Sequence, residues 1–261
     1  MGRAVKRLDR SGGSAKPKQV RYETCLVTYI DILGFRRLLQ ERRAGEISRI
    51  LRIFKTVVNR DRGTETDFKR LYESFSDLTV RAVTVSSADY LLVRPSMLQY
   101  ELESIAKIQI ELLLHHGILI RGGIAIGSLV KSWGLVYGEG MVSAYELETQ
   151  AKHPRVLIQD TLIQVADKLE EQNRGFLIKR LIASDGLLRF VDYLEFSTNH
   201  FDNHDDLLDF LTTHKTFIEV RLKQFVAKPK IRAKYRWLKR YHNATIRHLG
   251  GLFIQEGLLI K

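Results

Sequence analysis

Two aspartates stand where apolar, β-type residues should be. Asp31 interrupts "TYIDILGF" (28–35), and Asp77 lies between Phe75 and Leu78 in "ESFSDLTV". An ionised carboxylate buried in a strand is costly unless a positive group accompanies it. A Lys or Arg would serve, and so would a metal ion. A lone Asp in such a place is ordinarily a turn or cap residue. A pair, one at the end of a central strand and one at an adjacent hairpin turn, can face each other and bind Mg²⁺ or Mn²⁺. These hard cations prefer oxygen ligands and often share them with the phosphates of a nucleotide. The Gly34-Phe35 turn that follows the first Asp adds helix-start N–H groups suited to an anion.

The elements that must position these groups follow from periodicity. "YETCLVTYIDIL" (22–33) is rich in Val, Ile, Thr and Tyr and reads as a central strand. "GFRRLLQERR" and "EISRILRIFKTVVNR" have helical spacing, broken at Ala44-Gly45. Residues 69–85 read as a hairpin turning at Ser76-Asp77. "SMLQYELESIAKIQIELLLHHG" is a long helix with Ser96 as N-cap and Gly117 as stop. "ILIRGGIAIGSLV" is a strand, then come "WGLVYGEG", the helix "EGMVSAYELETQA", a strand from "RVLIQ" and another at "LLRFVDYL". The order β-α-α-β-β-α-β-β-α-β implies an α/β (α+β) fold with helices against a mixed sheet. From about residue 203 the chain turns helical, breaks at Pro229 and resumes, as a helical hairpin packed on the domain or on a second subunit.

"YIDILGF", an Asp 46 positions later at a hairpin turn, "LIRGGIAIG" and "GLVYGEGMVSAYELE" together resemble the catalytic domain of class III nucleotidyl cyclases, over roughly residues 22 to 160. The resemblance implies a ferredoxin-type mixed sheet and conversion of a nucleoside triphosphate to a 3′,5′-cyclic monophosphate and pyrophosphate. Two Mg²⁺ or Mn²⁺ ions per site would activate the ribose hydroxyl and stabilise the in-line displacement. By resemblance Asp31 and Asp77 are metal ligands, joined by the Ile32 carbonyl. Gly34 and Phe35 meet the phosphates, and Arg121 falls at a triphosphate-binding position. Class III sites form between two catalytic domains, so a single such domain implies a homodimer.

The departures narrow the substrate. Where purine cyclases carry a ribose-orienting Asn and a transition-state Arg, alignment places Val142 and Glu146. At the base-reading positions stand Glu73 and Leu135, and an apolar Leu135 cannot accept from adenine's exocyclic amine. Either the domain is a silent copy or its pocket is rebuilt for another base. "AYELETQAKHPRVLI" (144–158) resembles the pyrimidine (uridylate or cytidylate) cyclases of bacterial Pycsar anti-phage systems, whose product activates a separate cyclic-nucleotide-sensing effector. That resemblance implies UTP, then CTP, as substrate. Lys152 or Arg155 is a candidate for the missing cation, and Glu73 and Tyr72 are candidates for shaping the base pocket. Alternation puts Glu73 on the face of Asp77.

Composition sets the remaining bounds. The 261 residues carry a net charge of +12, concentrated at the two ends. The first 21 residues hold seven Lys or Arg against one Asp, and read as a disordered basic tail. Residues 221–248 hold ten against no Asp or Glu. "KYRWLKRYHN" could stack Tyr235, Trp237 and Tyr241 on nucleic acid. It reads rather as an amphipathic helix with snorkelling cations, so no stable nucleic-acid partner is expected. No apolar run reaches the roughly 20 residues of a membrane span. The single Cys25 suits a reducing cytoplasm and a place in the core. The eight His residues show no metal-ligand spacing. The expected division is a tail (1–21), a cyclase domain (22–200) and a helical extension (201–261).

Overall fold

A computed structural model describes residues 20–59, 70–76, 79–87, 96–132, 135–172, 177–251, 253 and 257–261. Of these, 55–59, 70–76, 79–87, 96–97, 131–132, 135 and 172 are described by backbone placement alone. Strand β1 (Glu23–Ile32) is buried along its last eight residues because both flanks and both faces are covered. That is why its sequence is a near-continuous apolar run. Helices α1 (Phe35–Glu41) and α2 (Ala44–Asn59) lead to β2 (Arg70–Ser76) and β3 (Thr79–Ser87). Helix α3 (Ser96–His116) returns the chain to β4 (Ile120–Ser132). Gly117 stops α3 at φ +60, with its N–H and that of Ile118 closing on Leu113 and Leu112.

These first four strands lie in the order β2-β3-β1-β4, antiparallel throughout. With a helical crossover on either side of the hairpin, this is the split βαβ arrangement of ferredoxin-type sheets. The sheet continues through β6 (Val156–Ile158), β8 (Leu188–Val191) and β7 (Ile182–Asp185), and β4 to β6 is the parallel step that makes it mixed. Strand β5 (Leu135–Tyr137) folds back on β4.

Two layers cover the sheet. On one face Leu26, Ile30 and Ile32 of β1 meet α2 and α3, whose buried positions Ile47, Ile50 and Phe54 recur at helical spacing. On the other face Cys25, Val27 and Tyr29 meet α4 (Glu139–Gln150). Helix α4 lies close because β4 offers glycines. A Cβ on Gly123 would fall 2.3 Å from the Ala144 carbonyl, and one on Gly127 2.6 Å from Gly140 Cα. Gly123 and Gly127 of "RGGIAIG" thus set the height of α4 above the sheet.

Three expectations are corrected. The first two helices part at Arg42-Arg43, and Ala44-Gly45 opens α2 instead of breaking the chain before it. Helix α5 (Asp160–Gln172) follows β6, where no helix was expected. The strand expected across "LLRFVDYL" ends at Val191, because Asp192 accepts from the Glu195 N–H and caps α6 (Tyr193–His200). The helical ending forms as expected: α7 (His204–Gln224) and α8 (Pro229–Leu249), with Pro229 in the first turn of α8. Phe210, Leu211 and Ile218 of α7 and Trp237 and Leu238 of α8 share one buried cluster with the sheet and α3. Trp237 and Tyr241 are buried, so their rings offer no stacking platform to a nucleic acid. The tail to residue 19 lies outside the described residues. Among the described residues no helix is long and apolar enough to cross a membrane.

Candidate active site

Asp31 lies on the α4 face near the end of β1, with arginines as register partners on both sides, Arg81 in β3 and Arg121 in β4. Arg121 Nε donates to Asp31 Oδ2 at 3.0 Å and stands 2.6 Å from Glu148 Oε1 of α4. One guanidinium therefore bridges two carboxylates that are 8% and 3% exposed. Glu148 reaches this place because Gly140, Ala144 and Glu148 form the stripe of α4 that faces the sheet. The first answer to the buried Asp31 is thus an arginine.

The answer is incomplete. Asp31 Oδ1 is buried with no hydrogen-bond partner among the described residues. A buried carboxylate oxygen without a donor is expensive and calls for water, an ion or a chemical role. Its chemistry suits a hard cation. Yet among the described residues no group of three or more His, Cys, Asp or Glu gathers to hold a metal. On the residues described, then, the fit to a divalent ion is one free carboxylate oxygen. The second expected ligand, Asp77, lies outside the described residues, between Ser76 and Thr79, which pair as register partners. That pair stands two positions beyond Arg81, the partner of Asp31, so the described strand ends approach the end of β1.

Ile32 closes β1 with its side chain in the core, opposite Ile120. Gly34 turns the chain at φ +77, where a side chain would be strained, and its carbonyl accepts from the Arg37 and Leu38 N–H groups. The Phe35 ring is buried in the main core. Tyr72 and Glu73 stand in β2 opposite Val83 and Ala82, and their side chains are outside what is described, as is that of Leu135. Val142 and Glu146 lie on the exposed side of α4.

The two candidate cations part company. Lys152 is exposed just after α4. Arg155 is 4% exposed, donates to Asp185 Oδ2 at 2.6 Å, and lies over the Trp237 and Phe190 rings at 5.3 and 5.7 Å. Trp237 Nε1 donates to the same Asp185 oxygen at 2.8 Å. These two donors, the Trp237 indole first and Arg155 after it, hold the Asp185 carboxyl below its usual range.

Sequence reading missed four residues. Glu148 had a local signal, a carboxylate in line with the small residues of α4. Lys234 of α8 is half-buried, feels the charges of both Arg121 and Asp31, and has its pKa lowered by burial and then by Arg121. His214 and His242 meet at 3.0 Å between Nδ1 atoms, 28 residues apart in the chain. No sequence signal joins them.

No family model matches this chain, and no curated protein matches it. Among solved structures it is similar to an adenylate/guanylate cyclase/hydrolase from Silicibacter pomeroyi, with 14% identity, 67% of this chain and 99% of that chain covered, and a TM-score of 0.44. It is also similar to the catalytic core of a rhodopsin-guanylyl cyclase with converted specificity, in complex with ATPαS, with 16% identity, 57% and 83% covered, and a TM-score of 0.42. At such values the reading of function rests on the residues of this chain.

Proposed function

We propose that the protein is a metal-dependent nucleotidyl cyclase, acting on a pyrimidine nucleoside triphosphate, UTP before CTP, and releasing pyrophosphate. The observation that carries the reading is Asp31: a buried carboxylate at the end of the central strand, one oxygen held by Arg121 and the other unmatched among the described residues. In this reading Asp31 Oδ1, the Ile32 carbonyl and Asp77 would hold Mg²⁺ or Mn²⁺. Such ions, when bound, supply a more acidic ribose hydroxyl and neutralise charge on the phosphates. Arg121 fixes the rotamer of Asp31 so that Oδ1 stays turned to its ligand. Gly34 and Phe35 present backbone to the phosphates, and Glu73 and Tyr72 shape the base pocket.

Residues 22–200 form the catalytic domain in this proposal and 201–261 an extension. A homodimer is supported by the outer side of α4, where Val142 and Tyr145 are 55% and 43% exposed. A role in anti-phage signalling through a separate effector belongs to the same proposal and rests on the resemblance of residues 144–158.

A second reading has its own observation. Arg121, expected on the triphosphate, is bound to Asp31 and Glu148, and Lys234 adds a second positive charge nearby. Among the described residues, Arg121 and Lys234 already set positive charge against Asp31 and Glu148, which favours a silent nucleotide-binding domain. One experiment separates the readings. The protein is incubated with Mn²⁺ and each of ATP, GTP, CTP and UTP, and products are identified by mass spectrometry. Cyclic UMP or cyclic CMP, lost in Asp31→Asn, is the expected result. Cyclic AMP or cyclic GMP would overturn the pyrimidine pocket, and nucleotide binding with no product from any of the four would favour the silent domain.

A further inference from the structure

The helical ending has no part in the sheet, yet it borders the candidate site. A cleft of ≈ 290 Å³ opens between the Gly34 turn and the α7–α8 hairpin. Five cationic side chains line it, Arg37, Arg42, Arg221, Lys228 and Lys234, against one carboxylate, Glu41. Glu41 is already engaged, 2.6 Å from Arg37 Nε, and Arg42 donates to the His116 carbonyl. Arg221, Lys228 and Lys234 all come from the hairpin, and among the described residues no ion pair to a carboxylate is seen for any of the three.

Gathering like charges in a half-enclosed cleft raises the local potential, and a multivalent anion relieves it. The arrangement is held in advance of any ligand. Tyr235 stacks on Phe225 with ring centroids 5.7 Å apart and planes within 6°, and meets Phe217 edge-on at 6.0 Å. This aromatic contact fixes the turn between α7 and α8 and so sets Arg221 and Lys234 against the Gly34 turn. Burial and the neighbouring Arg121 both lower the pKa of Lys234, which an anion in the cleft would reverse.

We propose that this cleft binds the triphosphate chain of a nucleotide, with Lys234, Arg221 and Lys228 of the C-terminal hairpin as its cationic residues. The inference deepens the cyclase reading and rests on it for the identity of the ligand. It gives the basic ending of the chain a task within its own subunit. It also supplies positive charge that α4, with Glu146, does not.

Calorimetry on the full chain with inorganic tripolyphosphate, and with UTP in competition, tests it. Tripolyphosphate is expected to bind more weakly as salt rises. Lys234→Gln should weaken binding about tenfold, the loss of one charge-assisted contact. Arg236→Gln, an equal charge change on the exposed side of α8, should leave binding within about twofold. UTP should displace tripolyphosphate. Equal losses in Lys234→Gln and Arg236→Gln would overturn the inference, as would failure of UTP to compete. Lys228→Gln, at an exposed position, repeats the test should Lys234→Gln fold poorly. The two readings fail separately. Turnover of a nucleotide with Lys234→Gln indistinguishable from wild type would sink the cleft and leave the cyclase. Lys234-dependent binding without any cyclic product would sink the cyclase and leave the cleft.

Discussion

Two of the polar clusters that the molecule buries are built on opposite plans. Around Asp31 the groups are charged, and one oxygen is unmatched among the described residues. In the C-terminal helices the groups are neutral and matched end to end. Tyr193 Oη lies 2.7 Å from His214 Nε2, His214 Nδ1 lies 3.0 Å from His242 Nδ1, and His242 Nε2 lies 3.0 Å from the Leu258 carbonyl. A carbonyl only accepts, so His242 carries its proton on Nε2 and accepts on Nδ1. His214 must then donate from Nδ1 and accept on Nε2, where the Tyr193 hydroxyl donates. Every donor meets one acceptor, and the chain locks α6, α7, α8 and residue 258 together. A matched neutral chain is what structure requires. An unmatched charge is what chemistry leaves behind.

The largest expected effect breaks this comparison at its charged end. Asp31→Asn removes the free carboxylate oxygen while preserving shape, and turnover should fall by at least about 10³-fold, the scale of losing one preorganised electrostatic group or more. Arg121 keeps Glu148 as a partner, so the fold should survive, as circular dichroism would record. Turnover within tenfold of wild type would remove Asp31 from the chemistry.

Arg121→Met asks whether the charge is structural as well. It takes from the buried Asp31 and Glu148 the guanidinium that bridges them, at an expected cost of about 3 kcal/mol at neutral pH. Urea denaturation measures it. A cost under about 0.5 kcal/mol, the range of an ordinary surface change, would mean that the bridge holds nothing.

The neutral cluster should respond to acid. Burial lowers the pKa of His214 well below the usual value and that of His242 to about 4. Between that value and the ordinary 6.5 the unfolded chain binds protons that the folded chain refuses, so stability rises with pH there. The histidine contribution is complete above about pH 6.5 and is lost as pH falls toward 4, amounting to about 3 kcal/mol for His242. Tyr193→Phe leaves His214 Nε2 without its donor and should cost about 1–2 kcal/mol. A pH-stability curve flat from 7 to 4 would contradict the proton assignment.

The contrast also explains what was legible in the sequence. The central strand, helix α3 and the helix–Pro–helix ending each carry local signals: a β-branched run, Gly117, and Pro229. Asp31 was legible because it violates its surroundings. Helix α5 carried a signal too, Leu162, Ala166 and Leu169 at helical spacing, but it starts one residue after β6 and so is masked by the apolar run of that strand. Asp192 and Glu195 did carry a cap signature inside "FVDYLEF", outweighed there by the apolar alternation. The pairings that define both clusters were hidden for a different reason. Arg121 meets Glu148, and His214 meets His242, through register and helix packing, which spacing along the chain does not encode.

The smallest expected effect sharpens the comparison at the two candidate cations that follow α4. Arg155 and Lys152 are candidates for the same missing cation, three residues apart. Arg155 is buried against Asp185 and two aromatic rings, so its loss damages the fold whatever its role in turnover. Lys152 is exposed, and Lys152→Ala should change stability by no more than about 0.5 kcal/mol. Any fall in turnover in Lys152→Ala, with an unchanged melting temperature, is therefore chemical. If Lys152→Ala turns over as wild type does, the cation comes from Arg155 or from outside the pair, and Lys234, within reach of Asp31's charge, becomes the residue to replace next.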